Sequence, residues 1–334
     1  MMRLPWFDYR APRSVAEAAR ILAGEGPAAM LIAGGTDLLP NMKRRHQTPK
    51  VLVSLRGIGD LKKVSNGSGI ALGSGLTLSE VLKIEKIPTA LRQATAQVAT
   101  VHLRNMGTLG GNLCLDTRCN YYNQNYEWRK AIGFCLKKDG DICWVATASK
   151  RCVAVSSTDT APALIALNAK VTLEGAAGER EIPVEALYKN DGIDYLSRKP
   201  DEILTKVTIP DDWKSTYWKL RRRGAFDFPI LGVAVALKFS GDVVEDARVA
   251  LGAVASRPFL VEKAGEYLKG KKLSDDVIAE ASAIIANRAK PMDNTDMDLY
   301  WRKEMADDFA GYALRELRGD DMRATRLRVA RYAV

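Results

Sequence analysis

Two short glycine-rich turns constrain the fold of this chain more than any other feature. The first spans Ile32 to Leu38 (IAGGTDL) after a short apolar strand, and the second spans Asn105 to Asn112 (NMGTLGGN). Paired glycines let the backbone approach a ligand closely and point successive N–H groups at it. One such turn could simply reverse the chain, but two of them predict a shared site for one diphosphate, as a dinucleotide requires.

The surrounding sequence argues against the common dinucleotide-binding fold. Neither turn contains the GxGxxG fingerprint, and neither lies in an obvious βαβ unit with an acidic residue for a ribose. Short apolar strands are instead predicted near residues 30–33, 51–55 and 69–75. Helices are predicted to begin at Ser14 and Thr77, because each is followed three residues later by a Glu.

The character of the chain changes after a predicted linker at residues 210–215. Two apolar strands, 230–240 and 247–255, are separated by a Ser-Gly-Asp turn. Three helices are predicted to follow, near residues 259–269, 275–290 and 296–318. Strands followed by helices indicate the α+β class, and 334 residues are enough for two domains.

Composition narrows the classes of function. The formal net charge is +10, but the basic residues are scattered and no nucleic-acid-binding signature is present, so we expect no nucleic-acid partner. A solvated basic surface or docking to an acidic protein would account for the charge. No apolar run approaches the length of a membrane span, and MMRLPWFDYR lacks the apolar core of a secretory signal. We therefore expect a cytoplasmic protein without membrane contact.

Four of the five cysteines lie within one polar segment. Cys119, Cys135, Cys143 and Cys152 have 15, 7 and 8 residues between them. In a reducing compartment, clustered cysteines more often bind metal or do redox work than form disulfides. Structural zinc usually shows close Cys pairs, which are missing here, whereas an iron–sulfur cube accepts thiolates from any spacing. A [4Fe–4S] cluster, zinc and idle thiols remain the alternatives; Cys114 is predicted only to pack beside the second turn.

Three motifs carry a resemblance to a known family. AGGTDL at 33–38, RNMGTLGGNL at 104–113 and TDTAPAL at 158–164 resemble the FAD-binding subunit of the molybdenum hydroxylase family, which includes xanthine dehydrogenases, carbon monoxide dehydrogenases and 4-hydroxybenzoyl-CoA reductase. The resemblance covers nearly the whole chain. It implies an FAD-binding domain of two subdomains at 1–212 and an α+β domain, a sheet backed by helices, at 213–334.

The resemblance also implies which residues contact FAD. The first turn and the second would hold the pyrophosphate and ribityl, Asp159 the ribityl or adenosine hydroxyls, and Leu204 and Lys219 would lie beside the isoalloxazine ring. Asp227 falls on a further family motif. The implied cofactor-binding residues are Ile32, Ala33, Gly34, Gly35, Thr36, Asp37, Leu38, Thr108, Gly110, Gly111, Asn112, Asp159, Leu204, Lys219 and Asp227. None is expected to be catalytic.

The cysteine segment, at about residues 117–156, is an insertion relative to most of this family. Its cysteine spacing, and the residues Cys119 to Gln124 (CNYYNQ), resemble the β subunit of 4-hydroxybenzoyl-CoA reductase. That resemblance implies a [4Fe–4S] cluster held by Cys119, Cys135, Cys143 and Cys152.

The resemblance finally implies an oxidoreductase subunit that relays electrons. A ferredoxin would reduce the cluster, and electrons would pass through FAD to [2Fe–2S] centres and molybdenum. The implied partners are a large molybdopterin subunit and a small subunit with two [2Fe–2S] clusters, in a hetero-oligomer that is a dimer of heterotrimers. The alternative is a flavin subunit of another molybdenum hydroxylase that oxidises an aromatic or CoA-thioester substrate.

Overall fold

The computed structural model describes residues 3–211 and 213–330. Met1, Met2, Asp212 and residues 331–334, which include the ends of the predicted domains and part of the predicted linker, lie outside the described residues. The strands are β1 Asp8–Arg10, β2 Ala29–Ile32, β3 Val51–Ser54, β4 Val64–Asn66, β5 Gly69–Gly73, β6 Lys170–Gly175, β7 Gly178–Pro183, β8 Ile203–Pro210, β9 Lys214–Leu220, β10 Leu231–Ser240, β11 Val243–Gly252 and β12 Phe259–Leu260. The helices are α1 Val15–Glu25, α2 Leu38–Lys43, α3 Leu78–Leu82, α4 Thr89–Ala96, α5 Val101–Arg104, α6 Leu109–Leu113, α7 Tyr126–Ala131, α8 Thr160–Ala166, α9 Glu262–Leu268, α10 Asp275–Arg288, α11 Leu299–Arg318 and α12 Arg323–Ala330.

A small parallel sheet begins the fold. Its strand order is β1-β3-β2, and α1 connects β1 to β2. Helix α1 begins at Ser14, whose side chain accepts a hydrogen bond from the Glu17 N–H. Its buried residues recur at helical spacing and form one apolar face: Val15, Ala18, Ala19 and Leu22. Strand β2 ends directly before the first glycine turn, so that turn lies at the carboxyl end of a parallel strand.

A larger antiparallel sheet supports the second glycine turn. Its strand order is β4-β5-β8-β6-β7, and helices α3, α4, α6 and α8 pack into the core around it. Helix α3 starts with a complete capping box, because Thr77 and Glu80 exchange backbone-to-side-chain hydrogen bonds. The predicted second turn is in part a helix: residues 109–113 form α6, capped by Thr108. The Gly110–Gly111 pair predicts a reverse turn, whereas the structure has a single turn of α-helix there, capped by Thr108.

The carboxy-terminal part is a four-stranded antiparallel sheet, β12-β11-β10-β9, with helices packed against it. Strands β10 and β11 form the predicted hairpin, although β11 begins at Val243, four residues earlier than predicted. The predicted helix at 259–269 is also shorter, because Phe259 and Leu260 pair as β12 with β11. Helix α12 was not predicted. The α+β class is confirmed.

The cysteine segment forms a lobe between α6 and α8, which we define as residues 117–156. It contains α7 and is otherwise built from turns and isolated bridges, including one between Arg118 and Val155 that closes its base. In the part of the chain that the structure describes, no helix is both long and apolar enough to cross a bilayer.

Candidate functional site

The two glycine turns meet backbone to backbone. A Cβ atom placed on Gly34 would lie 2.0 Å from the Met106 carbonyl oxygen and 3.0 Å from Cα of Gly107. Only a glycine permits this approach, because a side chain would overlap the opposite turn. Gly35 adopts a φ of +70°, which turns the chain from β2 into α2. The prediction that both turns contribute to one site is therefore consistent with their contact.

Both turns line a single large cavity. Its volume is about 570 Å³, within the size range of ligand-binding sites. All but one of the predicted FAD-binding residues line it; these are Ile32, Ala33, Gly34, Gly35, Thr36, Asp37, Leu38, Thr108, Gly110, Gly111, Asn112, Asp159, Leu204 and Asp227. We call this space the flavin cavity.

The first turn offers unused hydrogen-bond donors to the flavin cavity. Within residues 3–211 and 213–330, the backbone N–H groups of Gly35 and Thr36 make no hydrogen bond to another backbone group. In the second turn, Thr108 Oγ1 accepts from the Gly111 N–H at 3.0 Å and fixes the start of α6. Exposed N–H groups beside a Gly pair are suited to a phosphate or diphosphate. The first turn therefore fits the pyrophosphate of FAD, whereas the Gly110 and Gly111 N–H groups of the second turn donate to Ser74 and Thr108.

Asn112 fixes the position of Asp159. Its side-chain oxygen accepts hydrogen bonds from Thr158 Oγ1 at 2.8 Å and Thr160 Oγ1 at 2.6 Å. These two threonines flank Asp159 at the start of α8. The GGN and TDTAPAL motifs, 47 positions apart, are thus one hydrogen-bonded unit in the fold.

Lys219 lies beneath the flavin cavity and does not line it. Its ammonium donates to Asp159 Oδ2 at 2.9 Å, to the Gln97 carbonyl at 2.9 Å and to the Asp227 carbonyl at 2.8 Å. The other Asp159 oxygen accepts from the Tyr217 hydroxyl at 2.8 Å. Burial raises the pKa of Asp159 and lowers the pKa of Lys219, while their mutual attraction opposes both shifts. Lys219 can therefore reach a ligand only through the groups that it positions.

Asp227 lies in the loop between β9 and β10, at the rim of the flavin cavity. Its carboxylate accepts from Arg223 Nε at 3.0 Å and Nη2 at 3.2 Å, and from the Phe228 N–H at 2.9 Å. The aromatic side chains of Phe226 and Phe228 are 39% and 45% exposed at this rim. Asp227 thus orders a loop that carries two aromatic side chains over the cavity.

Arg118 connects the first glycine turn to the cysteine lobe. Its guanidinium pairs with the Asp37 carboxylate and lies 4.5 Å from the centre of the Phe228 ring. Burial lowers the pKa of Arg118 to about 10, so it keeps its charge at neutral pH. The pair neutralises a carboxylate that would otherwise repel a diphosphate at the turn.

The four predicted ligand cysteines converge on one small cavity. Cys119, Cys135, Cys143 and Cys152 are all buried and line it together. All five cysteines of the chain are free thiols. The Ala154 N–H donates to the Cys152 sulfur at 3.4 Å, whereas the Tyr122 N–H donates to the Cys119 carbonyl oxygen at 3.0 Å. We call this space the cysteine cavity.

The thiols are not spaced to chelate a single ion. In the described ranges, no group of three or more His, Cys, Asp or Glu side chains is placed to hold one metal ion. Burial raises the pKa of Cys119 to about 12 and also raises the pKa of Cys152, so a metal would have to displace protons to bind. Cys114 lines the flavin cavity and is not a member of this set.

A thin partition separates the two cavities. Asp116 lines the flavin cavity, whereas Tyr122 and Lys137 line the cysteine cavity. Asp116 accepts from Lys137 Nζ at 2.8 Å and from the Tyr122 hydroxyl at 3.0 Å. One hydrogen-bonded layer therefore spans the distance from one cavity to the other.

No pattern in the sequence predicts the partition. Lys137 stands beside Lys138 in a polar segment, and nothing in the sequence distinguishes the buried lysine from the exposed one. Asp116 could have been noticed as the acidic residue between the second glycine turn and the first ligand cysteine. Its role depends on the fold of the lobe, which the sequence pattern does not specify.

Comparison with known proteins shows the family to which the chain belongs. Residues 5–212 match the family described as FAD binding domain in molybdopterin dehydrogenase, and residues 215–317 match CO dehydrogenase flavoprotein C-terminal domain. An aldehyde oxidoreductase FAD-binding subunit from Escherichia coli K12 is 31% identical over 85% of this chain and 93% of that protein. The carbon monoxide dehydrogenase medium chain of Afipia carboxidovorans is 30% identical over 84% of this chain and 87% of that protein.

A solved structure agrees with these matches. Reconstituted CO dehydrogenase from Oligotropha carboxidovorans superposes with a TM-score of 0.77 at 26% identity, covering 95% of this chain and 99% of the other. The predicted fold and the predicted FAD-binding domain are confirmed, whereas the closer likeness to 4-hydroxybenzoyl-CoA reductase remains a prediction. The chain belongs to the FAD-binding medium subunits of the molybdenum hydroxylase family, and it is an oxidoreductase subunit.

Proposed function

We propose that this chain is the FAD- and [4Fe–4S]-binding electron-transfer subunit of a molybdenum enzyme similar to 4-hydroxybenzoyl-CoA reductase. FAD, when bound, exchanges electrons singly or in pairs, and the cluster exchanges them singly. The proposed FAD-binding domain is residues 1–212, with the cluster in the lobe at 117–156, and residues 213–334 form the carboxy-terminal domain.

One observation carries the proposal: four buried thiols from four separate parts of the lobe line the cysteine cavity. A single hydrogen-bonded layer, which contains Lys137 and Asp116, separates this cavity from the flavin cavity. Three of these thiols, Cys119, Cys135 and Cys152, also pack with Tyr122 and Ala154 as the small apolar core of the lobe. The Ala154 N–H directed at the Cys152 sulfur favours a thiolate there, because such a hydrogen bond stabilises negative charge on sulfur.

The donor set fits an iron–sulfur cluster better than zinc. The cysteine cavity holds about one water, roughly 10 Å³. Four iron and four sulfide atoms occupy several times this space, so the cysteines would move apart from these positions to hold a cluster. Zinc needs four sulfurs around one atom, and the thiols are not placed for a single ion. A cube of iron and sulfide bridges ligands that are farther apart.

The flavin cavity supplies the groups that FAD requires. The turns at 33–38 and 108–112 would hold the pyrophosphate and ribityl, and Asp159 would accept from flavin hydroxyls. Leu204 would contact the ring, and Lys219 would act by fixing Asp159 and the Asp227 loop. No residue of this chain is assigned to substrate chemistry.

The proposed partners complete the electron path. They are a large molybdopterin subunit, a small subunit with two [2Fe–2S] clusters and an acidic ferredoxin, in a dimer of heterotrimers. The names of the relatives, medium chain and FAD-binding subunit, support membership in a larger enzyme. The other candidate keeps both cofactors but reverses the electron flow, in a complex that oxidises an aromatic or CoA-thioester substrate.

Metal and sulfide analysis of the full chain, purified without oxygen, tests the proposal. We expect about four iron and four acid-labile sulfide per chain, together with one FAD. Serine variants of Cys119, Cys135, Cys143 or Cys152 should each lose most of the iron, and Cys114→Ser, which lies outside the set, should keep it. One zinc per chain, or iron that survives all four variants, would refute the cluster.

Assays of the purified native complex separate the two directions of flow. The proposal predicts that reduced ferredoxin drives reductive removal of a phenolic hydroxyl from an aromatic CoA thioester. Turnover that occurs only as substrate oxidation, with electrons leaving through this chain, would instead support the alternative.

A further inference from the structure

We propose that the buried Lys137–Asp116 ion pair is a fixed dipole that separates the reduction potentials of the two cofactor sites. Its positive end faces the cysteine cavity and its negative end faces the flavin cavity, so it favours an electron on the cluster and disfavours one on the flavin. The pair therefore opposes transfer from the cluster to the flavin and favours transfer from the flavin to the cluster, which is the direction of the alternative candidate. The inference rests on the proposed function for the identity of the cluster.

The orientation of the pair follows from the residues that line each cavity. Lys137 lines the cysteine cavity and Asp116 lines the flavin cavity, with their charged atoms 2.8 Å apart. The ammonium lies between two aromatic rings, 4.7 Å from the centre of Tyr122 on the cysteine side and 5.5 Å from the centre of Tyr195 on the flavin side. The dipole therefore points across the partition.

The ammonium is immobilised by its hydrogen bonds. Lys137 Nζ has three donors, and its acceptors are Asp116 Oδ1 at 2.8 Å, Thr117 Oγ1 at 2.7 Å and the Gly192 carbonyl at 2.6 Å. The carboxylate is equally fixed, because its second oxygen accepts from the Tyr122 hydroxyl. Neither charge can turn away from the cavity that it faces.

Burial strengthens the electrostatic effect of the Lys137 and Asp116 charges on the two cofactor sites. The side chains of Lys137 and Asp116 are 6% and 5% exposed. Interactions between charges are several-fold stronger at a buried site than in water and are screened little by salt. A reduction adds one negative charge to its site, so a fixed cation beside the cluster raises the potential there, and a fixed anion beside the flavin lowers it.

A structural role alone does not account for this arrangement. Replacing a buried ion pair by apolar residues of similar volume is often neutral or stabilising, so burial of a charge pair is weak evidence of a contribution to stability. The adjacent Lys138 shows the usual alternative: its side chain is 36% exposed and pairs with Asp139 at the surface. The chain thus offers a matched control one residue away.

Anaerobic redox titration of the full chain, followed by EPR for the cluster and by visible absorbance for FAD, tests the dipole. Lys137→Met should lower the cluster potential by at least about 59 mV, a tenfold change in the electron equilibrium. Asp116→Asn should raise the flavin potential more than the cluster potential. Lys137→Arg, which keeps the charge, and Lys138→Met should leave both potentials close to those of the wild type.

The outcomes separate the inference from the proposed function. If Lys137→Met shifts the cluster potential no more than Lys138→Met does, the inference is wrong while the cluster stands. If the wild-type chain holds FAD but no iron, the proposed function is wrong, and Asp116→Asn still decides the dipole: an unchanged flavin potential refutes it. If Lys137→Met fails to fold, Asp116→Asn decides the inference: an unchanged flavin potential refutes it.

Discussion

Replacement of Lys219 by Met tests whether the buried pair beneath the flavin cavity holds the site together. The side chains of Lys219 and Asp159 are 0% and 4% exposed, so the variant leaves a carboxylate uncompensated in the core. Breaking a buried pair from one side costs about 3–5 kcal/mol. Because domains of this kind are stable by about 5–15 kcal/mol, the variant should lose a large part of its stability.

Urea unfolding of the wild type, Lys219→Met, Asp159→Asn and the double variant measures the effect. Removing both charges relieves the uncompensated carboxylate, so the double variant should be more stable than Lys219→Met alone. The Tyr217 hydroxyl can still donate to residue 159 in all four proteins, so this hydrogen bond is the same throughout the comparison. A Lys219→Met protein within about 0.5 kcal/mol of the wild type, a change typical of surface substitutions, would refute the reasoning.

Three further predictions follow from local geometry. Gly34→Ala should abolish FAD retention, measured by flavin absorbance after gel filtration, because its Cβ would lie 2.0 Å from the Met106 carbonyl. Gly192→Ala should lower the iron content while FAD is kept, because its Cβ would lie 2.7 Å from the Cys152 sulfur. Burial lowers the pKa of His46 from 6.5 to about 4. Between pH 7 and pH 4 the unfolded chain therefore binds a proton at His46 that the folded chain does not bind. This difference should lower the free energy of unfolding by roughly 3 kcal/mol from pH 7 to pH 4. His46→Gln should reduce this dependence on pH.

A glycine without close neighbours provides the control. In the part of the chain that the structure describes, no heavy atom beyond the chain neighbours of Gly59 lies within 4 Å of an added Cβ, so Gly59→Ala should keep both FAD and iron. Full FAD in Gly34→Ala would show that the turns do not need this close contact. A full iron content in Gly192→Ala would show that iron binding does not need the close contact between Gly192 and Cys152. An unchanged dependence of stability on pH in His46→Gln would show that another group titrates.

The sequence predicted the elements of the fold where local rules decide them. The capping residues of α1 and α3, the apolar strands and the β10–β11 hairpin follow from short patterns. Phe259 and Leu260 show the limit, because their pairing with β11 is a long-range contact that overrides a helical pattern. The second glycine turn shows another: Thr108 caps a helix that the two glycines alone disfavour.

The site was predictable to the level of backbone motifs and less so for side chains. One glycine pair after a strand could simply reverse the chain, but two such pairs in one sequence predict a shared site. The contacts of Lys219 and Lys137 could not be predicted, because their acceptors come from distant segments. Lys137 finds acceptors 20, 21 and 55 positions away, and only the folded lobe brings them together.

Anomalous diffraction at the iron edge, from crystals of the full chain grown without oxygen, tests the central claim most directly. The account predicts iron density enclosed by the sulfurs of Cys119, Cys135, Cys143 and Cys152, across the Asp116–Lys137 partition from bound FAD. A structure with ordered FAD but no iron between these sulfurs, or with a zinc ion or disulfides in its place, would contradict the account.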